Sequence, residues 1–129
     1  MKDERYNDID SLIKMYIYPL LEEECRRLRV PREFILGIYG FYCKDFMVGY
    51  VEEVWKEDKL IGVRIRIGDC NQGKLSALSV FFHEMYHVKE IWEGKKRPFS
   101  ELRADLYAWY RILQPALNKI IQIRKNLLF

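Results

Sequence analysis

The chain has no third histidine. His83 and His87 are its whole complement, so any zinc site built from three imidazoles of one chain is excluded. A catalytic zinc takes three protein ligands and keeps a position for water. Any site that used both imidazoles would need a carboxylate, a thiolate or a partner's residue beside them. Cysteine is also sparse. Cys25, Cys43 and Cys70 form an odd set at unrelated spacings, which argues against a secreted disulfide scaffold and for reduced thiols in the cytoplasm. An excess of one charge is missing too: 22 basic against 19 acidic residues leave a net charge of +3, too little for a nucleic-acid footprint. No run of about 18 apolar residues occurs, so no membrane span is expected. The opening MKDERYNDID has no apolar segment of the signal-peptide kind.

What is present is a chain for one core. Its 129 residues are 50% hydrophobic, enough for a single domain that buries roughly two-thirds of its unfolded surface. Ile9, Leu12, Ile13, Tyr16, Ile17, Leu20, Leu21 and Leu28 recur at helical spacing. They predict a first helix over about 9–28, kinked or broken near Tyr18 by Pro19 and stopped by Pro31. Three segments rich in branched and aromatic residues then predict strands at Phe34–Phe41, Phe46–Trp55 and Leu60–Ile67. Lys56–Lys59 forms the turn between the last two, and the short connections suggest an antiparallel meander. In the third strand Val63, Ile65 and Ile67 alternate with Arg64 and Arg66, giving one buried and one basic, wet face.

Helical spacing returns from about Gly73 to Trp92, where LSALSVFF is apolar or small on every face and should be buried. After the EGKKRP loop a third helix begins near Ser100, a suitable N-cap, and runs to Gln114. Its stripe of Leu102, Leu106, Trp109 and Leu113 is assigned to the core. Pro115 ends or kinks it, and a last helix, Ala116–Leu127, is expected to bury Leu117, Ile120, Ile121 and Leu128. The whole is an α+β domain: N-terminal helix, three-stranded largely antiparallel sheet, and three further helices.

His83-Glu84-Met85-Tyr86-His87 spells H-E-x-x-H. On a helix, positions i and i+4 share a face, so both imidazoles can bond one Zn²⁺. Glu84, about 100° around from His83, is placed to take a proton from a water on that metal. Burying two imidazoles and a carboxylate there would cost several kcal/mol unless something paired them. Glu101 follows His87 by 14 residues, beyond a loop able to fold one helix back on the other; it is the chosen third ligand. Asp105, one turn later on the same face, can accept the spare N–H of a liganded imidazole, and Ala108 lets the helices approach. Taken alone, Glu101 is equally an acidic residue favoured at a helix start, and Asp105 a solvated charge. Cys70, ahead of the motif, is the thiolate alternative, an arrangement that resembles peptide deformylase without its glycine-rich signature.

His83-Glu84-x-x-His87 followed by Glu101-x-x-x-Asp105 resembles the gluzincin metallopeptidases. The short spacer and small chain look most like the minimal archaeal minigluzincins of the selecase type. The likeness covers about 25 residues and agrees with the strand-then-helix order before it. It implies one Zn²⁺ on His83, His87 and Glu101, Glu84 as base and acid, Asp105 supporting a histidine, and a peptide or protein substrate held by an edge strand, here mapped to Leu60–Ile67. Arg64 and Arg66 would then meet acidic side chains of a substrate. Some minimal members are latent or self-associate. Two rival readings accompany the peptidase: a zinc-binding but inactive regulatory or assembly protein, and an interaction module with no metal.

Overall fold

A computed structural model describes residues 9–43, 47–71 and 73–128. Helical residues 9–12 lead into a π-helical turn, Ile13–Ile17, and then α1, Tyr18–Leu28. Pro19 explains the wide turn. It has no N–H, and its ring presses on the carbonyl four residues back. Widening the preceding turn relieves both faults, and the Tyr18 N–H reaches five residues back to the Ile13 carbonyl. Ile9, Ile13, Ile17 and Leu21 stay on one buried face through this change. Arg29, in the left-handed region at φ 57°, closes α1, and Pro31 follows.

The strands are β1, Ile35–Phe41, β2, Gly49–Lys56, and β3, Lys59–Gly68. The expected start of the second strand at Phe46 lies outside the described residues. The sheet order is β1-β3-β2. β2 and β3 form the expected antiparallel hairpin, turning through Glu57 and Asp58, both at positive φ. The meander, however, is corrected: β1 pairs parallel to β3, not antiparallel to β2. The chain leaves β1 beside Gly68 and returns as β2 beside Ile67, so it crosses the end of β3. This makes β3 the central strand, and Val63, Ile65 and Ile67 are fully buried beneath the helices. The outer face is polar as expected. Glu52 bridges Arg64 and Arg66, and the Arg66 guanidinium lies 5.0 Å from the Tyr39 ring centre.

α2, Lys74–Glu93, packs on the inner face of the sheet and ends at Gly94, φ 68°. Its burial begins at Ala77; Leu75 is exposed. α3, Ser100–Leu128, is a single helix that passes through Pro115, where two helices were expected. α3 lies against α2 through Ala104 and Ala108, both buried. The expected core stripe is the wrong face: Leu102, Leu106, Trp109 and Leu113 are all more than half exposed. Leu117, Ile120 and Ile121 are exposed as well, since this half of α3 extends beyond the domain; the Leu128 side chain lies outside those described. α3 has apolar residues on two faces, and the small alanine face won the interior because it permits close helix approach.

α3 is anchored to α1 by a buried polar cluster. The Glu24 carboxylate is fully buried. It accepts a hydrogen bond from Arg111 Nε, 3.0 Å from Oε2, with Nη2 ion-paired to the same oxygen at 3.0 Å, and one from the Tyr107 hydroxyl. Arg111 also stacks over Phe82 of α2 at 5.0 Å.

Candidate metal centre

α2 and α3 bring four of the sequence-selected residues to one point. His83 and His87 lie one turn apart on α2, and their Nε2 atoms are 3.1 Å apart. Glu101, in the first turn of α3, sets Oε2 3.1 Å from His83 Nε2 and Oε1 3.0 Å from His87 Nε2. The fourth residue, Asp105, lies one turn further along α3, with Oδ1 2.7 Å from His83 Nδ1.

The outer carboxylates, Asp105 and Glu90, favour one tautomer in each ring. A carboxylate only accepts, so the Nδ1 of His83, facing Asp105, carries a proton. The same holds for His87, whose Nδ1 donates to Glu90 Oε1 at 3.0 Å. In the neutral rings both Nε2 atoms are then bare lone pairs aimed at each other and at a third acceptor, the Glu101 carboxylate. Three acceptors at 3.0–3.1 Å repel unless a proton or a metal cation lies between them, and only a metal cation satisfies all three at once. Donors bound tetrahedrally at about 2.0–2.1 Å are separated by roughly 3.3 Å, close to the spacing present. His83, His87 and Glu101 could therefore hold a metal ion, and the donor set fits one.

Glu90 is the residue that sequence reasoning missed. Its side chain is 7% exposed, and it accepts from three donors: His87, the Ser100 hydroxyl at 2.5 Å, and the Arg97 backbone N–H at 2.8 Å. Burial alone would raise its carboxyl, but the donors from Ser100, Arg97 and His87 outweigh it and hold the group below the usual carboxylate range. The signal was its place three residues after His87, on the same helix face. α3 begins at Ser100, but Ser100 is the first helical residue rather than the expected N-cap, and its hydroxyl donates to Glu90 instead.

Glu84 sits beside the cluster, Oε1 4.0 Å from His83 Nε2. Burial pushes its carboxyl above the usual range, while His83 and His87 pull it back and Glu101 raises it again. It faces β2 across a close approach at Gly49, where an added Cβ would overlap Val80 and touch Glu84. The cleft over the four groups encloses about 1190 Å³ and is walled on one side by Gly49, Tyr50, Val51 and Glu53 of β2. Glu101 is 78% exposed within it, so the far side of the donor set is open to solvent.

Three expectations fall elsewhere. β3 has hydrogen-bonded neighbours on both sides, so Leu60–Ile67 is not an edge strand; β2 is the edge beside the cleft. Arg64 and Arg66 are occupied by Glu52 on the outer face and do not line the cleft. Cys70 is exposed, its backbone N–H 3.4 Å from Cys43 Sγ, and is not part of the metal-competent group. Among the described residues no helix is long and apolar enough to cross a membrane. No protein-family model, no curated protein and no solved structure matches this chain.

Proposed function

We propose that the chain is a zinc-dependent metallopeptidase of the gluzincin type. The observation that carries this reading is the convergence of two imidazole lone pairs and one carboxylate, with a second, buried carboxylate, Glu84, alongside. Two histidines and a glutamate are a catalytic rather than a closed structural zinc set. The ion, when bound by His83, His87 and Glu101, would polarise a scissile carbonyl and acidify water.

The protein's own residues supply the rest. Asp105 and Glu90 fix both rings with Nε2 toward the centre. Glu84, kept basic enough to accept a proton by its burial, takes one from the attacking water and delivers it to the departing amine nitrogen. A peptide substrate would lie extended beside the free edge of β2, pairing with backbone groups that β3 leaves unused. The unpaired thiols of Cys25, Cys43 and Cys70 support a cytoplasmic setting.

The test compares wild type with Glu84→Gln. Both should bind one zinc per chain, and only wild type should cleave a peptide library. Equal cleavage by both would remove Glu84 from the mechanism. Zinc bound by both with no cleavage by either would favour a non-catalytic zinc protein. A chain that takes up no zinc would overturn the metal site itself.

A further inference from the structure

Where the parallel strands β1 and β3 end, the fold brings together two cysteines that lie 27 positions apart in the chain. The strand register pairs Phe41 with Gly68, and Cys43 and Cys70 each follow two residues later. The two segments stay side by side beyond that pair. The Asp69 N–H donates to the Phe41 carbonyl at 2.9 Å, and the Cys43 N–H donates to Asp69 Oδ1 at 2.9 Å. The Cys70 N–H then points at Cys43 Sγ, 3.4 Å away. One N–Cα bond adds about 1.5 Å, so that sulfur lies within about 5 Å of the Cys70 Cα. Disulfides join Cα atoms roughly 4.4–6.8 Å apart, and rotation of the exposed Cys70 side chain about χ1 can carry its sulfur onto Cys43.

The surroundings are built for the approach. A Cβ at Gly68 would overlap Cys43 Sγ, so only a residue without a side chain lets that sulfur lie against the end of β3. The turn that carries Cys70 is fixed by the buried Asn71. Its Nδ2 donates to the carbonyls of Val48 at 2.9 Å and Gly68 at 3.0 Å, and its Oδ1 accepts from the Ser76 hydroxyl at 2.8 Å. The two thiols differ in kind. Cys70 is exposed and Cys43 is half-buried. Burial first, and then contact with Cys70, pushes the Cys43 thiol up to about 11, which keeps it protonated near neutral pH.

We infer that Cys43 and Cys70 are a reversible redox pair, closed to an intrachain disulfide by a small disulfide of the glutathione class. The Cys70 thiolate attacks one sulfur of that oxidant; its S–S bond breaks, and one small thiolate leaves. Cys43 then yields its proton to solvent, its sulfur attacks Cys70 Sγ, and the second small thiolate departs. Two protein thiols are oxidised, and one small disulfide is reduced to two thiols. The Cys70 N–H assists the second attack, because it stabilises charge on Cys43 Sγ as the proton leaves. The new bond would tie the turn after β3 to the segment leading into β2, whose Met47, Val48 and Gly49 border the cleft. The inference does not depend on the metal or on catalysis.

The experiment uses the full chain, free of metal and air, in mixtures of reduced and oxidised glutathione near neutral pH. Free thiols are then alkylated and the peptides mapped by mass spectrometry. Wild type should lose Cys43 and Cys70 together as one intrachain link that dithiothreitol reopens, while the buried Cys25 stays free. Cys43→Ser should stop with one glutathione on Cys70. Cys70→Ser should react roughly 10-fold more slowly than Cys43→Ser. The oxidised wild type should melt several degrees above the reduced form, because the link restricts the unfolded chain. A wild type that ends with glutathione still on Cys70, with links between chains, or with all its thiols intact in the most oxidising mixture overturns the pair. A lower melting point on oxidation refutes the claim that the fold is shaped to hold the bond. Faster reaction of Cys70→Ser than of Cys43→Ser overturns the order of attack.

Discussion

Replacing Glu90 by Gln isolates the part played by the carboxylate behind His87. In the protein this buried group receives His87 at 3.0 Å, Ser100 at 2.5 Å and the Arg97 N–H at 2.8 Å. Glutamine keeps the volume but has one acceptor oxygen. If that oxygen serves His87 and Ser100, its NH₂ meets the Arg97 N–H, and one orphaned donor costs about 1–3 kcal/mol. The negative charge that makes the His87 ring a better ligand is also lost. Removing such a supporting carboxylate lowers metal affinity by roughly 10–100-fold, or about 1.4–2.7 kcal/mol. The assay is competition for Zn²⁺ with a chromophoric chelator, alongside thermal unfolding of the metal-free protein. Both quantities should fall. Asp105→Asn provides the contrast: Asp105 is 61% exposed, so affinity should fall comparably while metal-free stability barely changes. A Glu90→Gln protein binding zinc within twofold of wild type would refute the claim that the charge of this carboxylate strengthens His87 as a ligand.

Two further outcomes follow from groups outside the cleft. Glu24→Ala leaves the nearly buried Arg111 guanidinium, 9% exposed, without its counter-charge, which should cost about 3–5 kcal/mol in thermal or urea unfolding; the paired change Glu24→Leu with Arg111→Met should cost less than Glu24→Ala alone. The Cys43 thiol is pushed up to about 11, first by burial and then by its hydrogen bond with Cys70. Because a raised value keeps the thiol protonated, its thiolate appears only as pH climbs toward 11. Alkylation of Cys43, followed by mass mapping, should therefore quicken by roughly 100-fold between pH 8 and pH 10, and a flat rate would contradict that environment.

Much of the centre was legible because it is local. H-E-x-x-H needs only a helix to bring its imidazoles together, and Glu101 and Asp105 needed only a loop that folds α3 back. What failed was whatever depends on distant partners. Alternation marked Val63, Ile65 and Ile67 as inward, yet nothing in it says that β1 rather than β2 lies parallel beside them. Periodicity found an apolar stripe on α3 without saying which stripe is inside, and the preference for large side chains favoured Leu102 and Trp109 over Ala104 and Ala108. Pro115 suggested an ending, but the helix carries it with one missing hydrogen bond. Glu24 looked like one acidic residue among several on α1, because its partners Tyr107 and Arg111 lie more than eighty positions away.

α3 holds the donor carboxylate of Glu101 at one end of its packed half and the Arg111 clamp ten residues on, roughly 15 Å along the axis. The helix thus behaves as a lever with its pivot at Glu24. A tilt of about 4° there swings the far end by roughly 1 Å, the scale at which a misplaced group ruins a reactive geometry. Packing errors around α1 would therefore be felt at the centre as well as in the stability of the domain.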